Sequence, residues 1–562
     1  MDTGARRRGE DSMPGLRNVL EYFRMHGIRY TFSHGMEKMS EKYLGTYDRL
    51  FRAMQPTKEE LAEQERHQHQ IGKISILIPV YRPRPAFLEA LLDSLLAQTE
   101  KNWQACIYHA GEMTENHEIL EKYAQKDPRF LVRHSSENEG ISGNTNRAFD
   151  MADGEWVALC DHDDILSPSA LWLVADTIEK EQPDVVYTDE DKITENGKVH
   201  TDAHLKPDFC PDTLCSSNYV CHLLVFRREL MERIGGERST FDGSQDHDLM
   251  LRLSECTGRI CHVPAVCYHW RTVGSSMSHM NLMRCLEASC KAVQEHMEKK
   301  GYPVEAVPKN GVIRLKYEII RPLRVQAFVY GKNEESIREL ELSDWKEMEI
   351  TSLSGDGNRW EAYNRAAAGS EADVLLFVDE TVNDIPSNMV REMLMYAQRE
   401  DVGAVVPALT DSRGHVLHAG FVYPLSGYAQ CRQEGLLLGA GGWHILLQQS
   451  HNVGAVSGAC FMIRKDHWIP FDPAYHGGLG AVDWSIRLGH LGLNHVYTPH
   501  GAARVRRSEL LLSGTERDPD DLRRIEKMFG DEQDRCYHPG FRRTKADFRM
   551  DRQGEQRRRM QE

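Results

Sequence analysis

The sequence predicts an α/β protein: a doubly wound, mainly parallel sheet present twice in tandem, with a helical N-terminal segment. Three observations carry this. From Lys73 onward, strand-length apolar runs alternate with helical stretches, the texture of βα units. Asn146-Arg147-Ala148 and the run Trp156 to Asp161 recur 218 residues later as Asn364-Arg365-Ala366 and Val374 to Asp379. Asp248 to Leu253 and Pro264 recur 235 residues later as Asp483 to Leu488 and Pro499. At roughly 100–200 residues per domain, 562 residues exceed a single core. The expected division is a helical segment over 1–70, a first α/β domain over 71–320, a second over 321–510 and a charged tail over 511–562.

Taken in order, Leu16, Leu20, Tyr22 and Phe23, and then the charged run Lys58 to Gln70, predict helices without chemistry. The apolar run Ile74 to Tyr81 predicts a buried strand, stopped by Arg82-Pro83-Arg84-Pro85. Leu88, Leu91, Leu92, Leu95 and Leu96 then mark a helix, completing a β-turn-α unit. Further strands are expected at Gln104–Tyr108, Phe130–Arg133, Trp156–Cys160 and Val185–Thr188. Ligands of such sheets sit at the carboxyl ends of strands, which is where Asp161-His162-Asp163-Asp164 falls. The tail, ending in Arg557-Arg558-Arg559, reads as solvated.

Composition narrows the function classes. Hydrophobic residues are 40% and charged residues 27%, a globular balance. Lys+Arg number 69 against 85 Asp+Glu, a net charge of −16, so no overall basic field is available for a nucleic-acid partner. No apolar stretch has the length of a transmembrane helix, and Met-Asp-Thr-Gly-Ala-Arg-Arg-Arg does not open a secretory signal. The expectation is a soluble, cytoplasmic protein. Any membrane contact would be peripheral, at the inner face, through Arg6-Arg7-Arg8 and Arg557-Arg558-Arg559. Thirteen irregularly spaced cysteines fit reduced thiols. Cys210, Cys215 and Cys221 with His222, and Cys256, Cys261 and Cys267, lack the paired hooks of structural zinc sites.

Asp161 and Asp163, one residue apart beyond a strand, can face one hard cation such as Mg²⁺ or Mn²⁺. Alternatively they form an acidic turn before a helix starting at Ser167-Pro168. Asp248 and Arg252, four apart, fit a capped helix. Asp246, just before that helix, is free to point outward. Tyr268-His269-Trp270-Arg271 offers an imidazole, an indole and a guanidinium suited to a diphosphate or a sugar, although such a cluster alone is more often core packing.

The ordered set Ile78-Pro79-Val80-Tyr81, Asn138-Glu139-Gly140 with Asn146, the Asp-His-Asp-Asp cluster, Gln245-Asp246-His247-Asp248 and Tyr268-His269-Trp270 resembles the family 2 glycosyltransferases. The resemblance is strong over residues 73–273 and fainter over 325–505. It implies a GT-A fold and an inverting enzyme of cell-surface polysaccharide synthesis, of the two-domain bacterial type. The donor would be a UDP- or dTDP-sugar, and the acceptor a hydroxyl of a glycan or lipid-linked glycan. By the same resemblance, Asp161 and Asp163 bind the divalent cation (Mn²⁺ or Mg²⁺), with Asp161 also near the donor. Asp246 is the catalytic base, and Pro79, Tyr81, Asn146 and His269 bind the donor. One departure stands out: the family's aspartate pair after the second strand is replaced by His109-Ala110-Gly111-Glu112, which leaves nucleotide preference open.

Mapped onto the repeat, Asp163 becomes Thr381, Asp246 becomes Ala481 and His269 becomes Arg504, whereas Asp248 and Arg252 persist as Asp483 and Arg487. One active site per chain is expected, in the first domain. The alternative is a catalytically inactive glycan-binding or scaffold protein made of two degenerate copies. A nucleotidyltransferase is disfavoured because Arg82-Pro83-Arg84-Pro85 is not a Gly-rich phosphate loop.

Overall fold

The structure is a computed structural model, described over residues 46–273, 282–331, 333–512 and 517–551. The helix expected around Leu16–Phe23 and both arginine clusters lie outside the described residues. Helices α1 (Thr46–Met54) and α2 (Lys58–Arg66) precede the first sheet. A capping box opens α2, the Thr57 hydroxyl accepting from Glu60 N at 3.2 Å and the Glu60 carboxylate accepting from Thr57 N.

The first sheet contains β1 (Ile74–Tyr81), β2 (Trp103–Ala110), β3 (Phe130–Ser135), β4 (Trp156–Leu159), β5 (Ile165–Leu166), β6 (Val185–Ile193), β7 (His200–His204), β8 (Leu224–Arg227) and β9 (Ile260–Arg271). Among them run α3 (Pro85–Leu96), α4 (Glu115–Lys126), α5 (Gly140–Phe149), α6 (Ala170–Glu181), α7 (Pro211–Ser216), α8 (Arg228–Ile234) and α9 (Gln245–Cys256). The strand order is β3-β2-β1-β4-β8-β6-β9-β5, with β7 on β6. β3, β2, β1 and β4 are mutually parallel, while β8 runs antiparallel to both neighbours and β5 antiparallel to β9. The sheet is thus mixed and parallel-rich. β1 is apolar throughout because it is buried on both faces: Ile74, Ile76 and Ile78 pack with Leu88, Leu91, Leu92 and Leu95 of α3, and Leu77 joins the opposite core.

α10 (Leu282–Lys299) and the hairpin β10 (Val304–Lys309)–β11 (Val312–Tyr317) lead to a second sheet. It comprises β12 (Val325–Tyr330), β13 (Met348–Leu353), β14 (Val374–Asp379), β15 (Val382–Asn383), β16 (Val402–Thr410), β21 (Cys460–Arg464) and β22 (Asn494–Val505), with β17 (Val416–His418) on β16 and β20 (His451–Val453) on β22. A separate hairpin is formed by β18 (Phe421–Leu425) and β19 (Tyr428–Cys431). The order β13-β12-β14-β21-β16-β22-β15 repeats β2-β1-β4-β8-β6-β9-β5 strand for strand. The helices here include α11 (Glu334–Glu341), α12 (Arg359–Gly369), α13 (Met389–Ala397) and α14 (Leu479–His490), followed by α15 (Pro519–Phe529).

The two halves share a core and a buried polar joint. Asp212 of α7 pairs with Arg399, and its N–H donates to the Asn452 carboxamide oxygen at 2.8 Å. The C-terminal segment departs from the solvated tail expected. Tyr537, Phe541 and Phe548 are buried with Leu205 and Val422, and His538 Nε2 lies 2.7 Å from Asp189 Oδ2 of β6. A few aromatic residues spaced among many charges anchor it, and average composition hides them. No helix among the described residues is long and apolar enough to cross a membrane.

Candidate functional site

Beyond β4 the four acidic-cluster residues have different surroundings. Asp164 is fully buried; its carboxylate accepts from Tyr268 OH at 2.6 Å and from Arg271 N at 2.7 Å. It is a structural group, its pKa raised by burial and then by Asp163 and Asp161. Asp161, His162 and Asp163 are partly exposed. Asp161 N–H donates to Tyr268 OH at 3.1 Å, and the Asp163 carbonyl accepts from Arg271 Nε at 2.7 Å. Tyr268 and Arg271 of β9 therefore hold the loop and leave the Asp161 carboxylate on its open side.

Asp246 lies in the first turn of α9. Its Oδ2 accepts from Asn218 Nδ2 at 2.8 Å and lies 3.0 Å from Cys221 Sγ. His222 bridges the two acids: Nε2 is 3.6 Å from Asp161 Oδ2, and His222, Cys221 and Asp246 present ligand atoms within 4.8 Å of one another. The His222 ring stacks on Tyr268 at 4.6 Å, and its Nδ1 is buried without a partner. Burial raises the Asp161 pKa; His222 opposes this, while Asp163 and Asp246 add to it. This excess of negative charge at a half-open carboxylate fits a divalent cation.

Two of the expected donor-binding side chains are turned elsewhere. Asn146 donates from Nδ2 to the Glu237 carbonyl and accepts at Oδ1 from Glu237 N, both at 2.9 Å, so its carboxamide is spent on a backbone staple. His269 is 5% exposed; Nδ1 lies 2.6 Å from Asp191 Oδ1 and Nε2 lies 2.8 Å from Ser167 Oγ, so neither nitrogen is left for a diphosphate. Pro79 and Tyr81 do stand at the carboxyl end of β1. The Pro79 carbonyl is 3.0 Å from His162 Nδ1, and the Tyr81 ring is exposed with the Arg82 guanidinium over it at 5.2 Å.

Sequence reasoning missed His222 and Glu237. His222 appeared only as a poor zinc ligand, because nothing local links it to Asp161. Glu237 is 6% exposed, with Oε2 buried and unpartnered, and its pKa is driven well up by burial, then by Asp246 and Asp161. Its counterpart is recognisable: Asn364 makes the same exchange with Phe471, 2.8 Å each way. A carboxylate opposite a buried phenylalanine was the signal available.

The second copy has no acidic cleft at these positions. Asp379, the counterpart of Asp161, pairs with Arg359 at 3.1 Å and accepts from the Thr381 hydroxyl at 2.6 Å. Ala481 stands for Asp246, and Trp360, Phe471 and Trp484 stack through the region, with centroids 4.6 Å apart in each successive pair. Asp483 keeps its bond to Arg487 at 2.8 Å, as Asp248 keeps Arg252 at 2.9 Å. Between the domains and the C-terminal segment lies a cavity of about 410 Å³ lined by Asn218, Trp270, Arg432, Trp443, Asn452 and Phe541. Asn218, the partner of Asp246, links it to the cleft.

Residues 75–235 match the model of glycosyl transferase family 2. The first domain belongs to that family. The uncharacterized protein y4gI of Sinorhizobium fredii is 31% identical over 542 residues, 84% of this chain and 58% of that one. The O-antigen biosynthesis protein RfbC of Myxococcus xanthus is 30% identical over 471 residues, 76% of this chain and 36% of that one. The chain thus spans about half or less of these relatives' lengths. TarS of S. aureus, solved in complex with UDP, is 20% identical, with a TM-score of 0.33 over 40% of this chain and 65% of that chain. As a family 2 domain the parallel-rich sheet is GT-A-like, with the acidic cleft at the carboxyl ends of β1 and β4.

Proposed function

We propose that this chain transfers a sugar, with inversion, from a nucleoside-diphosphate sugar to a hydroxyl of a glycan or lipid-linked glycan acceptor, in cell-surface polysaccharide synthesis. The observation carrying this reading is the convergence of Asp161 and Asp246 on His222 in one half-open cleft. Asp161 and Asp163 would hold Mn²⁺ or Mg²⁺, which offsets charge on the departing diphosphate. Asp246 accepts the proton of the attacking hydroxyl from the far side of the anomeric carbon, and Asn218 fixes its orientation. Tyr81 offers a face for the base of a UDP or dTDP donor. RfbC, named as an O-antigen biosynthesis protein, supports a polysaccharide role.

The interdomain cavity is the acceptor's place in this reading. Trp270 and Trp443 give apolar faces for sugar rings, while Asn218 and Asn452 give hydrogen-bonding edges. The second copy then serves as an acceptor wall with no chemistry of its own. Incubating the protein with UDP- and dTDP-sugars, with and without Mn²⁺, tests the reading. Metal-dependent release of nucleoside diphosphate is expected, and release from none of the donors contradicts it.

A further inference from the structure

We propose that His109, His117 and His134 form a binding site for one divalent transition-metal ion of the zinc type, separate from the acidic cleft. The three side chains come from β2, the first turn of α4 and β3. In the parallel β2–β3 pair, Ala105 lies opposite Phe130, Ile107 opposite Val132 and His109 opposite His134, so all share one sheet face. The first two pairs belong to the apolar layer beneath α3 and α4, packed with Ile119 and Leu120. That layer ends on imidazoles, where packing alone asks for apolar or fully paired groups.

The geometry fits a metal. One ligand nitrogen of each ring lies within 4.8 Å of the other two. Nδ1 of His109 and Nδ1 of His134 are 3.4 Å apart. Tetrahedral zinc with bonds of about 2.0–2.1 Å sets its nitrogens about 3.3–3.4 Å apart. Nδ1 of His117 is buried without a partner. His109 is 2% exposed, so its ring lies in the apolar layer beside the other two imidazoles.

Two other histidine clusters differ. In Asp189/His262/His538 and Asp191/His200/His269 the carboxylate already bonds both imidazoles at 2.6–2.9 Å. The triad at β2 and β3 contains no carboxylate, and imidazole donors select Zn²⁺, Co²⁺ or Ni²⁺ over the hard Mg²⁺ and Mn²⁺ suited to the cleft. β1 separates β2 from β4, so the strands that lead to the two sites stand about two strand spacings, or ~10 Å, apart. Three imidazoles leave a fourth position for water or another ligand atom.

Titration of the chelator-treated full chain with Co²⁺ reads the site. One equivalent with the intense visible bands of tetrahedral cobalt is expected, displaced by Zn²⁺. His117→Ala and His134→Ala, checked for unchanged far-UV circular dichroism and Tm, should each weaken binding at least about tenfold. Three results overturn the proposal: no tetrahedral spectrum in the wild type, undiminished binding in both variants, or only weakly absorbing octahedral cobalt that is lost in Asp163→Asn.

Discussion

The Asn146 carboxamide and the Glu237 backbone exchange two hydrogen bonds of 2.9 Å, and Asn364 makes the same exchange with Phe471 at 2.8 Å. The staple thus belongs to the scaffold of both domains, and what differs across it belongs to the cleft. On one side the position carries a carboxyl facing Asp246 and Asp161; on the other it carries a phenyl ring stacked between Trp360 and Trp484.

A first prediction concerns Asn146. Asn146→Ala removes both bonds to Glu237 and should cost about 1–3 kcal/mol of stability, read as a lower urea midpoint, while calorimetric donor affinity stays at the wild-type value. An unchanged midpoint with lost donor binding would return Asn146 to the donor site.

Glu237 gives a pH prediction. Burial, then Asp246 and Asp161, raise its pKa. A raised acid costs the folded state nothing below the unfolded pKa of about 4.3, and the cost grows as pH climbs toward the folded value. Glu237→Gln should therefore exceed the wild type in Tm at pH 8, with the gap closing toward pH 4. A gap that is constant across pH contradicts the buried-acid reading.

His538 pins the C-terminal segment to fully buried Asp189, which also takes His262 Nε2 at 2.9 Å. Removing one partner of a buried pair costs about 3–5 kcal/mol. His538→Ala should open residues beyond Asp534 to limited proteolysis and raise the KM for acceptor, because Phe541 lines the cavity. Wild-type resistance to protease would show that the segment is held by its aromatic residues alone.

The sequence already exposed much of this fold. The run Ile74 to Tyr81 is a strand over the residues expected, because a strand buried on both faces has no polar interruption to blur its ends. The repeat foretold two sheets of one order. Strand direction was not legible: Leu224–Arg227 is a short apolar run like the others, and only its neighbours make it antiparallel. In the site, Asp161 and Asp246 could be singled out by local pattern. His222 and Glu237 could not, since His222 matters through its contact with Asp161, 61 residues away in the chain, and Glu237 through the charges of Asp246 and Asp161. His269 looked chemical in sequence, but Asp191 and Ser167, 78 and 102 residues away, consume its nitrogens.

Asp246→Asn tests the central claim most directly, with transfer and donor binding measured on the same protein in the presence of Mn²⁺. Loss of the base should cut the transfer rate by about 10²–10⁴-fold and leave calorimetric donor affinity unchanged, because Asn218 and Cys221 hold the position in place. Transfer at the wild-type rate would contradict Asp246 as the base and the cleft as the catalytic site.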